Sequence, residues 1–228
     1  CTCMSLLKQP TPPFLLATDL DGTFLAGDPD ARKRLYHLVD AHPDVKLAWV
    51  TGRGREAILP LLADPGLPTP DYVICDVGAT VLRTADMQPI QPLQSRIEAR
   101  WPGEHVVVEA MRRFPMLVRQ EVPQERRCSY YCHPEQLSTI QAEVEAVAAS
   151  LGCEVLYSAD RYLDILPRGT QKGSTLTALV DALTLEPSRV LVAGDTLNDL
   201  SMYGEGFPGV CVGASEPALV AATADMDN

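Results

Sequence analysis

Residues Phe14-Leu15-Leu16-Ala17-Thr18 form a short, nearly continuous apolar run, preceded by Pro10, Pro12 and Pro13 and followed by Asp19-Leu20-Asp21-Gly22-Thr23. A run this short, bounded by proline and glycine, predicts a buried strand that feeds a loop. The pattern recurs. Val45 to Val50 is a second run, closed by Thr51-Gly52-Arg53-Gly54, and Tyr72-Val73-Ile74-Cys75 is a third, closed by Asp76 and Gly78. Between them Leu35, Leu38 and Val39 stand at helical spacing within 30–41, and a further helix is predicted from Arg55 to Ala63. From Gly169 the rhythm returns, with a helix over 172–183, a strand Val190-Leu191-Val192-Ala193 ending in Gly194-Asp195, and a short last strand Cys211-Val212-Gly213. Strands and helices alternating through polar loops predict a parallel α/β sheet. In such sheets the chemistry collects at the carboxyl ends of the strands, where these polar loops lie.

Residues 84–163 break that rhythm. Val106-Val107-Val108, Ser129-Tyr130-Tyr131-Cys132 and Glu154-Val155-Leu156-Tyr157 look like short strands. Ile140, Val144, Val147 and Leu151 share one face of a helix over Ile140 to Leu151. Arginines also concentrate here, among them Arg96, Arg100, Arg112, Arg113, Arg119, Arg126 and Arg127. The expected organisation is a core built from 12–83 and 164–228, interrupted by an α+β unit over 84–163.

Charge narrows the partners. The 228-residue chain carries 30 acidic against 19 basic residues, a net charge of −11. That field repels phosphate backbones and anionic bilayers, so neither nucleic acid nor membrane is expected as a partner. An anionic small substrate would need a metal or a few positioned cations. No stretch of about 18 apolar residues is present to span a bilayer, and no leader pattern opens the chain. The seven cysteines lack both the density of a disulfide framework and the paired knuckles of a zinc site. Cys75 and Cys211 read as buried thiols, Cys1 and Cys3 form a terminal C-x-C, and the expected compartment is a reducing cytoplasm. The chain opens without methionine and stops in Ala224-Asp225-Met226-Asp227-Asn228. Trimming from a longer polypeptide and added terminal residues both account for such ends.

Four segments carry candidate chemistry. Asp19 and Asp21 stand one residue apart just past a strand, where a loop turned by Gly22 can aim both carboxylates into one pocket. Two carboxylates that close favour a divalent cation or a shared proton. The alternative is an Asp-Gly turn held by side-chain hydrogen bonds. Gly194-Asp195-Thr196-Leu197-Asn198-Asp199 is a second acidic cluster after a strand, with Asp195 and Asp199 spaced for the first turn of a helix. Acidic residues also simply suit a helix N-terminus. Against that stands the repetition: two strand ends opening on one sheet edge both carry acids, and oxygen ligands of this kind point to Mg²⁺ rather than zinc. Thr51-Gly52-Arg53 offers a hydroxyl and exposed backbone N–H groups to a phosphate. Lys172, within Gly169-Thr170-Gln171-Lys172-Gly173, offers an ammonium ahead of a helix. Alone, the first is more often merely a turn, and the second reads equally well as a solvated lysine.

Taken in order, the four segments resemble the haloacid dehalogenase superfamily, whose pattern is D-x-D-x-T, a Ser/Thr at a strand end, a lysine and an acidic G-D-x-x-x-D cluster. The resemblance runs over almost the whole chain, and its first and last motifs are the specific ones. The insertion resembles the α/β cap of sucrose-phosphatase-like and Cof-like members, as does Tyr162-Leu163-Asp164-Ile165-Leu166-Pro167 running into Gln171-Lys172-Gly173. Val77-Gly78-Ala79 departs from the Asn-Gly pair frequent in Cof-like members, which favours the sucrose-phosphatase-like side. The resemblance implies a Rossmann-like parallel-sheet core with an inserted α+β cap. It further implies a Mg²⁺-dependent phosphatase, with Asp19 as nucleophile and Asp21 as general acid and base. Thr51, Gly52, Lys172 and Asn198 are then expected on the phosphate. The metal is expected on Asp19, Asp195 and the backbone carbonyl of Asp21, with Asp199 and Asn198 completing or supporting that shell. The cap would choose the substrate, with its arginines, Tyr130, Tyr131 and His133 as candidate contacts. The expected substrate is a small phosphorylated sugar: sucrose 6-phosphate, glucosylglycerol phosphate or a mannosyl- or glucosyl-phosphoglycerate. A longer chain that also carries a sugar-transferring synthase would fit the odd termini. A phosphomannomutase-like mutase and a non-catalytic sugar-phosphate sensor are the rival readings. Retention of Asp19, Asp21, Lys172 and Asp195 argues against the sensor.

Overall fold

The computed structural model describes residues 12–228. The terminal Cys1 and Cys3 lie outside the described residues. In chain order the strands are β1 (Phe14–Thr18), β2 (Val45–Val50), β3 (Tyr72–Cys75), β4 (Thr80–Arg83), β5 (Gln88–Pro89), β6 (Val118–Arg119), β7 (Cys128–Tyr131), β8 (Cys153–Ser158), β9 (Tyr162–Pro167), β10 (Val190–Gly194) and β11 (Gly209–Cys211). The helices are α1 (Pro29–Ala41), α2 (Arg55–Leu62), α3 (Leu93–Glu98), α4 (Glu104–Met111), α5 (Pro134–Ser150), α6 (Lys172–Ala182), α7 (Leu200–Gly204) and α8 (Pro217–Thr223).

Seven strands form one sheet in the order β11-β10-β1-β2-β3-β4-β5. The first five are parallel; β4 and β5 add an antiparallel edge. The central strands read as uninterrupted apolar runs because both their faces are covered. One face packs Leu15, Ala48, Val50, Ile74, Leu176, Leu179 and Val192, backed by α6 and α7. The other packs Leu47, Trp49, Ile58, Val73 and Leu82, with Tyr36 and Val39 of α1 lying against it. The register decides where the chemistry goes. Thr18 pairs with both Ala193 and Trp49, so the chain leaves β1, β2 and β10 at the same level, as Asp19, Thr51 and Asp195.

Four antiparallel strands form a second sheet, ordered β6-β7-β9-β8. Its core, Val107, Met111, Cys128, Tyr130, Leu137, Val144, Leu163 and Ile165, lies between the sheet and α4 with α5. By sheet membership this unit runs through Pro167, because β9 pairs with β7 and β8 before the chain enters α6. Residues 84–98, within the expected insertion, hold β5 and α3 instead; β5 pairs with β4, and Leu93 and Ile97 of α3 pack into the larger core.

Three local expectations change. Val106-Val107-Val108 is helical within α4: Gly103, at φ 107, turns the chain in, and Val107 and Met111, one turn apart, are the buried pair. Burial at i, i+4 overrides the strand preference of the valines. The last strand lies two residues earlier than Cys211–Gly213, because β10 ends at Gly194 and its partner Cys211 is the last residue it can pair. Cys211 is half-buried rather than buried, while Cys75 is fully buried and both are free thiols.

Candidate active site

Asp19 leaves β1 in extended conformation and is 5% exposed. Its backbone N–H donates to the Ala193 carbonyl at 2.9 Å, which ties it to the adjoining strand end. The chain then turns through Gly22, at φ 80. A Cβ at Gly22 would lie 2.0 Å from Oδ2 of Asp195, so glycine is required by conformation and by the closeness of the second acidic loop. Across that gap the Thr23 hydroxyl donates to Oδ1 of Asp195 at 2.9 Å.

Three carboxylates converge here: Asp19, Asp195 and Asp199 each offer an oxygen within 4.8 Å of the others. Lys172 enters from the start of α6, wholly buried, and its Nζ donates to Oδ1 of Asp19 at 2.8 Å and Oδ1 of Asp199 at 2.7 Å. Burial works against the ammonium, but the two carboxylates outweigh it and raise the Lys172 pKa. Burial likewise raises Asp19 well above the ordinary carboxylate range, with Lys172 opposing, and raises Asp195. One ammonium against three carboxylates leaves a deficit of two positive charges, the charge of one divalent cation. The donor set is all hard oxygen, which suits Mg²⁺. Asp199 is differently placed from the other two. Its Oδ1 holds Lys172 and its Oδ2 accepts the backbone N–H groups of Asp195 and Thr196, at 3.0 and 3.2 Å.

Asp21 is turned outward, its carboxylate gripped by the Arg53 fork through Nε and Nη2, both at 2.7 Å. Those hydrogen bonds hold its carboxyl below the ordinary range. Thr51, fully buried, accepts from the Arg53 backbone N–H at 3.1 Å, which leaves its hydroxyl proton free to donate. Asn198 accepts from the Thr196 hydroxyl through Oδ1, which turns its amide group toward Gly52 across the opening.

A cavity of about 420 Å³ opens over these groups, between the two sheets. Asp19, Asp21, Gly52, Arg53 and Asn198 line it from the core. Gln120, Arg127, Tyr162 and Asp164 line it from the second sheet. Of the seven arginines expected as cap contacts, Arg127 alone lines this cavity. It is 3% exposed and donates Nε to the fully buried Asp76 at 2.8 Å and Nη1 to Ser129, whose hydroxyl in turn donates to Asp164. Burial raises the carboxyl of Asp164. The expected contacts Tyr130, Tyr131 and His133 lie elsewhere. Tyr130 points into the core of the insertion, while Tyr131 and His133 line a separate outer cavity with Arg161. Strand parity separates them: Tyr130 alternates to the face covered by α4 and α5. Gln120 carried no sequence signal beyond lying in the insertion, and Asp164 none beyond its place in the Tyr162–Pro167 resemblance, because only the pairing of β6, β7 and β9 brings them to one face.

The family model described as sucrose-6F-phosphate phosphohydrolase matches residues 12–227. Among curated proteins, the chain is 60% identical over 210 residues to a glucosylglycerol-phosphate synthase of Pseudomonas anguilliseptica, covering 92% of this chain but only 27% of that protein. It is 33% identical to a mannosylfructose-phosphate phosphatase of Agrobacterium fabrum, covering 94% of this chain and 88% of that one. Among solved structures, a sucrose-phosphatase from Synechocystis, in complex with sucrose and phosphate, superposes with a TM-score of 0.83 at 24% identity, over 96% of this chain and 90% of that chain. A haloacid dehalogenase-like hydrolase from Bacteroides thetaiotaomicron superposes at 0.66 with 16% identity, over 92% of each chain.

Proposed function

The chain belongs to the sucrose-6F-phosphate phosphohydrolase family of haloacid dehalogenase-type sugar phosphatases, and we propose that it hydrolyses the phosphate ester of a small glycoside, with glucosylglycerol phosphate as the first candidate. The observation that carries the reading is Asp19: a buried carboxylate held by Lys172, beside Asp195, at the floor of a cavity roofed by polar groups of a second sheet. The cavity volume falls within the range of small-molecule sites, about 300–1,000 Å³. The identity to a glucosylglycerol-phosphate synthase supports the substrate. Because this chain spans about a quarter of that relative, the reading includes a longer polypeptide in which a synthase makes the phosphate ester that this unit cleaves. The compartment that goes with it is the cytoplasm; among the described residues no helix is long and apolar enough to cross a membrane.

In the proposed reaction an oxygen of Asp19 attacks phosphorus and the ester bond to the sugar alcohol breaks, leaving an aspartyl-phosphate. Asp21 gives the leaving alcohol its proton, then takes one from the water that cleaves the intermediate. For this Asp21 must leave the Arg53 fork, and a phosphate entering beside Arg53 is the natural competitor for that guanidinium. The Thr51 hydroxyl, Gly52 N–H, Lys172 and Asn198 hold the phosphoryl oxygens. Asp19, Asp195 and the Asp21 carbonyl are the proposed Mg²⁺ ligands, with Asp199 supporting them because both its oxygens already hold protein donors. The cation, when bound, neutralises charge on the phosphoryl group. The insertion acts as a cap over the leaving group, where Gln120, Arg127 and Asp164 face the sugar.

Phosphate release from a panel of glycosyl phosphates, with Mg²⁺ or with EDTA, tests the reading. Release that needs Mg²⁺ and is fastest on glucosylglycerol phosphate is expected. Interconversion of sugar phosphates without release would replace the hydrolase by a mutase.

A further inference from the structure

Turn 195–199, which carries Asp195, Asn198 and Asp199, is gripped from outside the cavity by Glu216. The Glu216 backbone N–H donates to the Asp195 carbonyl at 2.7 Å. Its Oε2 accepts the Leu197 N–H at 2.8 Å. Its other oxygen, Oε1, accepts the N–H of Ala159 at 3.1 Å, and Ala159 belongs to the inserted unit. Ala159 and Asp160, at φ 52 and 50, form the tight hairpin turn between β8 and β9. One carboxylate therefore joins the tip of a cap hairpin to the middle of the acidic turn. Beyond Leu197 lies an open cavity of about 320 Å³, lined by Leu137, Val144, Val155 and Tyr157. Other polar links join the insertion to the core near the site, Glu125 and Arg127 to Asp76, Arg126 to Ala79 and Thr80, and Gln171 to Glu154, and none of these touches turn 195–199.

We propose that Glu216 is a positioning residue that couples the seating of the cap to the geometry of the acidic turn. With the hairpin seated, both carboxylate oxygens are engaged and Leu197 N–H is held, which orients Asp195 and Asn198 toward Asp19. With the hairpin lifted, Oε1 loses its partner, the side chain gains freedom, and the turn loosens with it. The kinetic consequence rests on the phosphatase reading above; the structural coupling does not. The device makes the chemical step depend on a cap that is in place, without Glu216 touching substrate.

Amide hydrogen exchange in the protein without added metal tests the coupling, using Glu216→Ala, Glu216→Gln and Ala159→Val. Hydrogen bonds to a charged acceptor lie at the strong end, so Glu216→Ala should speed exchange at both Ala159 and Leu197 by about tenfold or more, while α8 keeps its protection. Glu216→Gln keeps one acceptor oxygen and should release one of the two amides, which also serves if the alanine variant fails to fold. Ala159→Val strains a turn residue at positive φ and should speed exchange at Leu197 as well. Unchanged exchange at Leu197 in Ala159→Val overturns the coupling, as does opening of α8 as a whole in Glu216→Ala. On a small aryl phosphate, which leaves the cap uncontacted, Glu216→Ala should lower kcat about tenfold with KM within about twofold; an unchanged kcat overturns the positioning role. A wild-type chain that cleaves no phosphate ester would sink the phosphatase reading, and the exchange data would still judge Glu216.

Discussion

Replacing Lys172 by methionine keeps the length of the side chain and removes the one cation buried among Asp19, Asp195 and Asp199. Breaking a buried ion pair by removing one partner costs about 3–5 kcal/mol. Lys172 serves two carboxylates, but the two losses do not add, because the cluster has another way to shed charge: a carboxylate can bind a proton. That escape sets a ceiling. Protonating one carboxylate from its ordinary value of 3.8 costs about 1.4 kcal/mol per pH unit, so about 6 kcal/mol near pH 8 and about 2 kcal/mol near pH 5.5. The sign follows by linkage. Without Lys172 the folded-state carboxylates have pKa values above their unfolded ones, so stability is lost as pH rises through that window and regained as it falls. Urea unfolding of Lys172→Met in EDTA should therefore show a deficit of about 3–5 kcal/mol near pH 8 and no more than about 2 near pH 5.5. Excess Mg²⁺ should shrink the deficit at the higher pH, because the same oxygens regain a cation. Equal stability of variant and wild type near pH 8 in EDTA would refute the charge accounting on which the metal assignment rests.

Arg53 and Arg127 give two further tests. The Arg53 hydrogen bonds lower the Asp21 carboxyl in the free protein, so in Arg53→Ala it should return upward, and the limb of the kcat/KM profile that reports Asp21 should move to higher pH; an unmoved profile would remove Asp21 from the first chemical step. Arg127→Met should cost about 3–5 kcal/mol in urea unfolding by leaving Asp76 buried and unpaired. Adding Asp76→Asn should recover part of that, since asparagine tolerates the positive φ at that position; additive losses would show that the pair is not the source.

The parallel core was legible because β1, β2, β3 and β10 are covered on both faces and announce themselves as short apolar runs with polar loops at their carboxyl ends. The acidic cluster was legible for a related reason. Asp19, Thr51 and Asp195 stand immediately after such runs, and parallel register brings those ends level. What stayed hidden depends on contacts between residues distant in the chain. Val106–Val108 carries strand-forming side chains, and only the burial of Val107 with Met111 makes it helix. Asp164 was visible as part of a resemblance to a cap-to-core return, not as a cavity group, and reaches the cavity through the pairing of β9 with β7. Arg53 was legible as a neighbour of Thr51 but not as the partner of Asp21, since that pairing crosses from the end of β2 to the turn after β1. Glu216 drew no reading from the sequence, and its second partner, Ala159, sits in the distant turn between β8 and β9.

The central claim, that Asp19 takes the phosphoryl group from a glycosyl phosphate, is tested most directly by trapping the intermediate. Wild-type protein turning over glucosylglycerol phosphate with Mg²⁺ would be quenched with borohydride, which reduces an acyl phosphate to the alcohol, and its peptides mapped by mass spectrometry. The account predicts homoserine at position 19, absent without substrate and absent in Asp19→Asn. Steady phosphate release with position 19 unmodified, or with the label on another carboxylate, would contradict it.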